Sequence, residues 1–308
     1  MRALVTGASG FVGRHLVAAL RRENADVLAC GGPHDEEGEY FNIDLRDDES
    51  LRAAIAAARP DVVFHLAAQS FVPEAIESPL ATLEINTVGS ARLAGAIRAY
   101  DADPPPRLLF TSSAEVYGPR EPQEYPLQET LERRPANPYG ASKAGAEVVL
   151  LADARSFGLD VVIARAFNHI GPGQSERFVV ASLAAQLARI AGGAEPQMYV
   201  GNLAAARDFL DVRDVVEAYL TLARRGEGAQ VYNVCSGCAV TVRDVLRELI
   251  AIARVAVEVR EDPARMRAVE NPLSVGNAQK LRDATGWKPK IPLTQSLRDI
   301  YAYARAHL

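Results

Sequence analysis

Short apolar runs alternate with longer segments of helical periodicity through the first half of the chain, and this rhythm constrains the fold more than any other feature. The runs "RALVT" at 2–6, "DVLAC" at 26–30, "DVVFHL" at 61–66, "RLLFTS" at 107–112 and "DVVIAR" at 160–165 read as strands. Strands separated by helices pair in parallel with helices on both faces, so the expected class is α/β, a Rossmann-type doubly wound parallel sheet. Beyond about residue 166 the rhythm loosens. Turn signals in "NHIGPGQ" and "AGGAEP" are followed by the strands "QMYVG" and "QVYNV" among several helices. The expected organisation is a dinucleotide-binding domain over 1–165, with segments near 205–235 returning to it, and a smaller substrate-binding lobe over 166–308. That lobe should pack on the carboxyl edge of the sheet, where ligands of such sheets bind.

The net charge of −5 over 308 residues offers no general attraction to nucleic acid or to an anionic membrane. The apolar stretch from residue 2 has neither the long apolar core of a signal peptide nor the length of a membrane span, so a cytoplasmic protein is expected. Three cysteines, Cys30, Cys235 and Cys238, are too few for a disulfide framework. The "CSGC" pair stands without a second pair or a histidine cluster, so structural thiols and no metal are expected.

"TGASGFVG" places Gly7, Gly10 and Gly13 between the first strand and an amphipathic helix, where backbone N–H groups can approach a diphosphate; Phe11 and Val12 open the helix. The spacing is GxxGxxG. The second strand ends in Cys30-Gly31, without the acid that usually holds an adenosine ribose. Arg14 and His34 lie near enough in sequence to accommodate an extra phosphate, so NADP is preferred over NAD. "NIDL" offers Asp44 and Leu45 to the adenosine end, and "HLAAQ" offers Leu66, Ala67 and Ala68 where backbone must pass close to the cofactor.

In "NPYGASK", Asn137 is a good N-cap and Pro138 a good first helical residue, which sets Tyr139 and Lys143 one turn apart on one face. An ammonium near a phenol favours phenolate and lowers its pKa from about 10, so Tyr139 is a candidate proton-transfer group. In "TSSAEVYG", Ser113 follows the fourth strand and Glu115 stands two residues on.

With glycine loop, serine and Tyr-x-x-x-Lys in this order, the chain resembles the extended short-chain dehydrogenase/reductase family over essentially its full length. The resemblance implies catalytic roles for Ser113, Tyr139 and Lys143, and a supporting role for Asn86 of "NTVGS". "ARAFNHIGPGQ", "FVVASLAAQLARI", "RDFLDVRDV", "VYNVCSG" and "DPARMRAVENP" are similar to the bacterial GDP-6-deoxy-4-ketohexose reductases, relatives of GDP-mannose 4,6-dehydratase. By that likeness Asn168, Arg189, Arg207, Arg267 and Glu270 hold the nucleotide diphosphate and ribose. Guanidinium forks match phosphate oxygens, and a carboxylate accepts from ribose hydroxyls.

The activity this implies is NAD(P)H-dependent reduction of the carbon 4 ketone of GDP-4-keto-6-deoxy-D-mannose to GDP-D-rhamnose, by a homodimer built on helices near 79–100 and 138–157. The dehydratases carry a glutamate in a triplet with an acid or hydroxyl. Here the triplet is Ser113-Ala114-Glu115, and "GGPHDEEGEYFNIDL" is short where the dehydratase has an arginine-bearing insert. Glu115 is therefore expected to shape the pocket as a hydrogen-bond acceptor. The alternatives are a 4,6-dehydratase, a 4-epimerase and, outside enzymes, a dinucleotide-binding regulator.

Overall fold

The computed structural model describes residues 1–32, 40–265 and 271–308. Its strands in chain order are β1 (Arg2–Thr6), β2 (Asp26–Gly31), β3 (Phe41–Asn42), β4 (Val62–His65), β5 (Arg107–Ser113), β6 (Val161–Ala166), β7 (Asn168–Ile170), β8 (Gln197–Val200), β9 (Ala206–Asp211), β10 (Gln230–Val234), β11 (Ala239–Thr241), β12 (Glu258–Glu261) and β13 (Leu273–Ser274). Seven of them form one sheet in the order β10-β6-β5-β4-β1-β2-β3, and every pairing in it is parallel. This is the doubly wound Rossmann order extended by a seventh strand.

The two-residue period of the strands decides which side chains meet which helices. Val5, Phe64, Leu109 and Val162 face a cluster with Leu16 and Leu20 of the helix Phe11–Arg22 and Val215 and Leu222 of the helix Val212–Arg225. Their neighbours Leu4, Val63, Leu108 and Ile163 face Leu51, Ile55, Leu93, Ile97 and Leu150 of the helices Asp48–Ala58, Gly89–Ala99 and Pro138–Phe157. Both sheet faces are thus apolar, which is why the sequence shows continuous rather than alternating apolar runs.

The later part of the chain builds a third core. Helices Val179–Ala191, Val242–Ala253 and Leu293–Ala306 pack Leu183, Leu187, Leu246, Leu249 and Ile300 around β9, whose neighbours are β7, β11 and β13; β8 and β12 pair separately. The chain leaves this region twice, first to pack the helix Val212–Arg225 and lay β10 against β6, and again to place Ala278, Leu281 and Trp287 in the first cluster.

The tightest junction is between β1 and the helix that follows it. Gly7 has φ +70°, and a Cβ there would lie 2.7 Å from the Ala67 backbone nitrogen; a Cβ on Gly13 would lie 2.1 Å from the Gly7 carbonyl oxygen. Both contacts are with backbone, which side-chain repacking cannot relieve. Gly13→Ala is expected to cost about 3 kcal/mol of stability, read from the urea midpoint with an unchanged m-value.

Candidate active site

A cleft of about 1130 Å³ runs along the carboxyl ends of β1, β4 and β5 and is closed on its far side by the third core. At one end the glycine loop forms its floor. The helix Phe11–Arg22 starts at Gly10 with no side-chain cap and no acidic residue in its first turn. Its free N–H groups and positive dipole end are chemically suited to a diphosphate. Gly31 and Gly32 line the cleft at the end of β2, and among the described residues no carboxylate stands there. Asp44 and Leu45 also line it, with Asp44 forked on Arg46 at 2.9 and 2.7 Å. Arg14 is turned away, donating to the carbonyls of Ser9 and Gly173 at 2.6 and 3.2 Å. His34 lies outside the described residues. Bare glycines, an uncapped helix start and the backbone at Leu66, Ala67 and Ala68 together fit a dinucleotide.

The loop after β4 is held from beneath. Asn86 is buried in a π-helical turn, Glu84–Val88, and its side chain accepts from the Gln69 amide at 2.8 Å and donates to the Gln69 carbonyl and Ser142 Oγ, each at 2.9 Å. The extra residue of the π turn aims Asn86 at both the loop and the helix that carries Tyr139. His65, within "HLAAQ", bridges Thr6 Oγ1 at 2.8 Å and Ser90 Oγ at 2.9 Å, while Thr6 Oγ1 also accepts from the Ala67 amide at 3.2 Å.

Asn137 caps the helix Pro138–Phe157 by accepting from the Gly140 amide at 2.8 Å, and its amide nitrogen donates to Glu115 Oε2 at 2.8 Å. Ser113, Glu115, Tyr139 and Lys143 all reach the cleft wall. Lys143 donates to the Thr111 carbonyl at 2.8 Å and sits 4.8 Å from the centre of the Phe110 ring. Burial pushes the Tyr139 phenol up to about 12, against the hydrogen bond to Ser113 that pulls it down, and the Glu115 charge adds to the rise. This differs from the lowering expected of a lysine neighbour. Lys143 is itself desolvated, which brings it down to about 7 although the Glu147 charge opposes the fall. Tyr139 is therefore a neutral phenol in the structure as it stands.

The other wall carries Asn168 and Arg207. Arg189 does not face the cleft: from the last turn of its helix it forks onto Glu176 at 2.5 and 2.7 Å, and it meets the cleft only through that carboxylate. Arg267 and Glu270 lie outside the described residues. Arg265, which the motif reading passed over in favour of its neighbour, lines the cleft beside Ser182, to whose Oγ it donates at 3.4 Å. Across the mouth, Arg177 pairs with Glu74 at 3.1 Å and lies 3.8 Å over the Phe71 ring, while Phe71 meets Phe178 edge-on.

The model of the family described as GDP-mannose 4,6 dehydratase matches residues 4–300. The chain belongs to this family. It is 43% identical to the GDP-6-deoxy-D-mannose reductase of Pseudomonas aeruginosa over 300 residues, 97% of this chain and 95% of the relative. Among solved structures it is similar to RMD from Pseudomonas aeruginosa complexed with NADPH, at 40% identity and a TM-score of 0.90 with all of both chains covered. It is also similar to the UDP-glucose 4-epimerase of Thermus thermophilus complexed with NAD, at 32% identity and a TM-score of 0.89, again with full coverage. Among the described residues no helix is long and apolar enough to cross a membrane.

The buried histidine makes stability depend on pH. Burial pushes His65 down to about 3, and the nearby Lys143 charge acts in the same direction. The unfolded chain takes up this proton near 6.5 and the folded one only near 3, so its contribution is fully present above 6.5 and drains away as pH falls towards 3. His65→Gln is expected to reduce the loss of unfolding free energy between pH 6.5 and 5 by up to about 1.4 kcal/mol per pH unit, measured by urea titration at each pH.

Proposed function

We propose that this NAD(P)-dependent oxidoreductase reduces the carbon 4 ketone of GDP-4-keto-6-deoxy-D-mannose, giving GDP-D-rhamnose. The observation that carries the reading is the half-buried Tyr139 beside Ser113 in the cleft, with Ala114 supplying no second acid next to Glu115. A reduced nicotinamide bound in the cleft supplies a hydride. The glycine loop, the uncapped helix start and the backbone at 66–68 would hold the dinucleotide.

Ser113 donates a hydrogen bond to the ketone oxygen, polarising the carbonyl, and Tyr139 gives that oxygen its proton as negative charge develops there. Lys143 keeps its ammonium against the Thr111 carbonyl and stabilises the phenolate that remains. Asn168 and Arg207, with Arg267 and Glu270 by resemblance, are assigned to the GDP portion; the guanidinium of Arg207 suits a diphosphate. Glu115 is assigned to shaping the hexose end, held by Asn137. NADP is preferred because Gly31 and Gly32 put no acid where NAD selection requires one.

A homodimer is part of the same reading. Leu80 is 80% exposed, and Leu83, Val88 and Val148 are also exposed on the helical surface between residues 79 and 157. A cytoplasmic location is assigned with the same reading.

Tyr139→Phe should lower turnover with the 4-keto sugar by roughly two to four decades while dinucleotide affinity stays nearly intact. Near-normal turnover removes Tyr139 from the mechanism. Wild-type protein with NADP should leave GDP-mannose unconverted, and should oxidise NADPH steadily once the 4-keto-6-deoxy sugar is supplied; Glu115→Gln should retain much of that reduction. Product NMR showing rapid formation of the keto sugar from GDP-mannose alone, lost in Glu115→Gln, would assign a dehydratase instead.

A further inference from the structure

Behind the catalytic face lies a buried charge cluster that the mechanism does not use. Glu147 follows Lys143 by four residues and Tyr139 by eight, so the three share one face of the helix Pro138–Phe157. Its carboxylate is fully enclosed. Oε1 accepts from Ser112 Oγ at 2.5 Å and from Arg165 Nε at 2.8 Å, and Oε2 accepts from Arg165 at 2.7 Å and from Arg133 Nε at 2.6 Å.

Ser112 and Arg165 are direct partners in the β5–β6 register, so both side chains emerge on the same side of the sheet and meet the carboxylate together. Arg165 cannot swing away, since its guanidinium lies 4.7 Å over the Tyr117 ring and the Tyr117 hydroxyl is tied to Asn233 Oδ1 at 2.7 Å. The residues gripped are consecutive: Lys143 holds the Thr111 carbonyl, Glu147 holds the Ser112 hydroxyl, and Ser113 is next.

We propose that Glu147 is a positioning residue for the proton relay, holding Lys143 as an ammonium on Thr111 and fixing, through Ser112, the strand end that presents Ser113. The proposal builds on the relay described above.

The ionisable groups that act on or with Lys143 are Glu147 on its own helix and His65 on β4, while Tyr139, one turn before it, faces Glu115 from the turn after β5 and Tyr219 from the helix Val212–Arg225. Arg165 on β6 and Arg133 from the preceding loop stand at the Glu147 carboxylate. His65 is neutral, so Glu147 is the anion that sustains the lysine charge in a site where burial removes it. Without that anion, two guanidinium groups would be left unneutralised near Lys143.

The test is a titration of Lys143 by NMR of protein labelled with lysine carrying side-chain nitrogen-15. The chain has four lysines, so the Lys143 signal is assigned by its loss in Lys143→Met. Glu147→Gln is expected to lower the Lys143 midpoint by about one pH unit or more. Arg133→Gln removes one cation from the carboxylate at a partly exposed position, where folding is preserved, and is expected to raise the midpoint by a few tenths of a unit. The alkaline fall of kcat should move with the same signs, with KM unchanged. A role confined to folding moves neither midpoint, and an unchanged Lys143 titration in Arg133→Gln overturns the proposal even where Glu147→Gln does not fold. Because this titration needs no sugar nucleotide, wild-type silence towards the 4-keto sugar defeats the reductase reading alone.

Discussion

Everything in the cleft depends on how closely the helix Phe11–Arg22 approaches the end of β1. Without side chains at Gly7 and Gly13 the helix start can sit against the loop after β4, and its N–H groups open directly into the cleft. The same closeness brings Thr6 within reach of His65 and of the Ala67 amide, so the glycine loop and the "HLAAQ" loop are fixed to one another. Asn86 extends that fixation to the helix of Tyr139 and Lys143. The glycine loop and the helix of Tyr139 and Lys143 are parts of one hydrogen-bonded frame.

Electrostatics in this frame follow from burial more than from pairing. Tyr139 rises and Lys143 falls because both are desolvated, and the charges nearby modify that outcome without reversing it. A phenol kept neutral suits proton donation to a ketone oxygen. An enzyme whose first step is oxidation of an alcohol needs the opposite state of the same group.

The sequence made the first half legible because short continuous apolar runs bounded by turn residues report a buried parallel strand directly, and five strands of the central sheet stood out in this way. Two kinds of element escaped it. Short strands such as Phe41–Asn42, Ala239–Thr241 and Leu273–Ser274 carry two or three residues and no period, and β9 lay hidden in a motif read for its arginine. In the site, one-turn spacing exposed Tyr139 and Lys143, and one further step of four reaches Glu147, whose partners Ser112, Arg133 and Arg165 come from distant segments. Arg189 shows the opposite problem: an arginine in a similar motif indicates a cation, but Glu176, thirteen residues away in the chain, decides where it points.

The return of β10 to the central sheet bears on how the chain can be divided. Residues 1–166 contain the whole glycine loop with Ser113, Tyr139 and Lys143, yet a fragment ending there would leave β6 as a naked edge, its backbone donors and acceptors open along Val161–Ala166. Such an edge recruits other strands, including those of neighbouring molecules. Asn233 on β10 also draws Leu127 and Glu129 of the first half onto itself. The central sheet and the later core are interleaved in the chain, and no single cut between them leaves the central sheet whole.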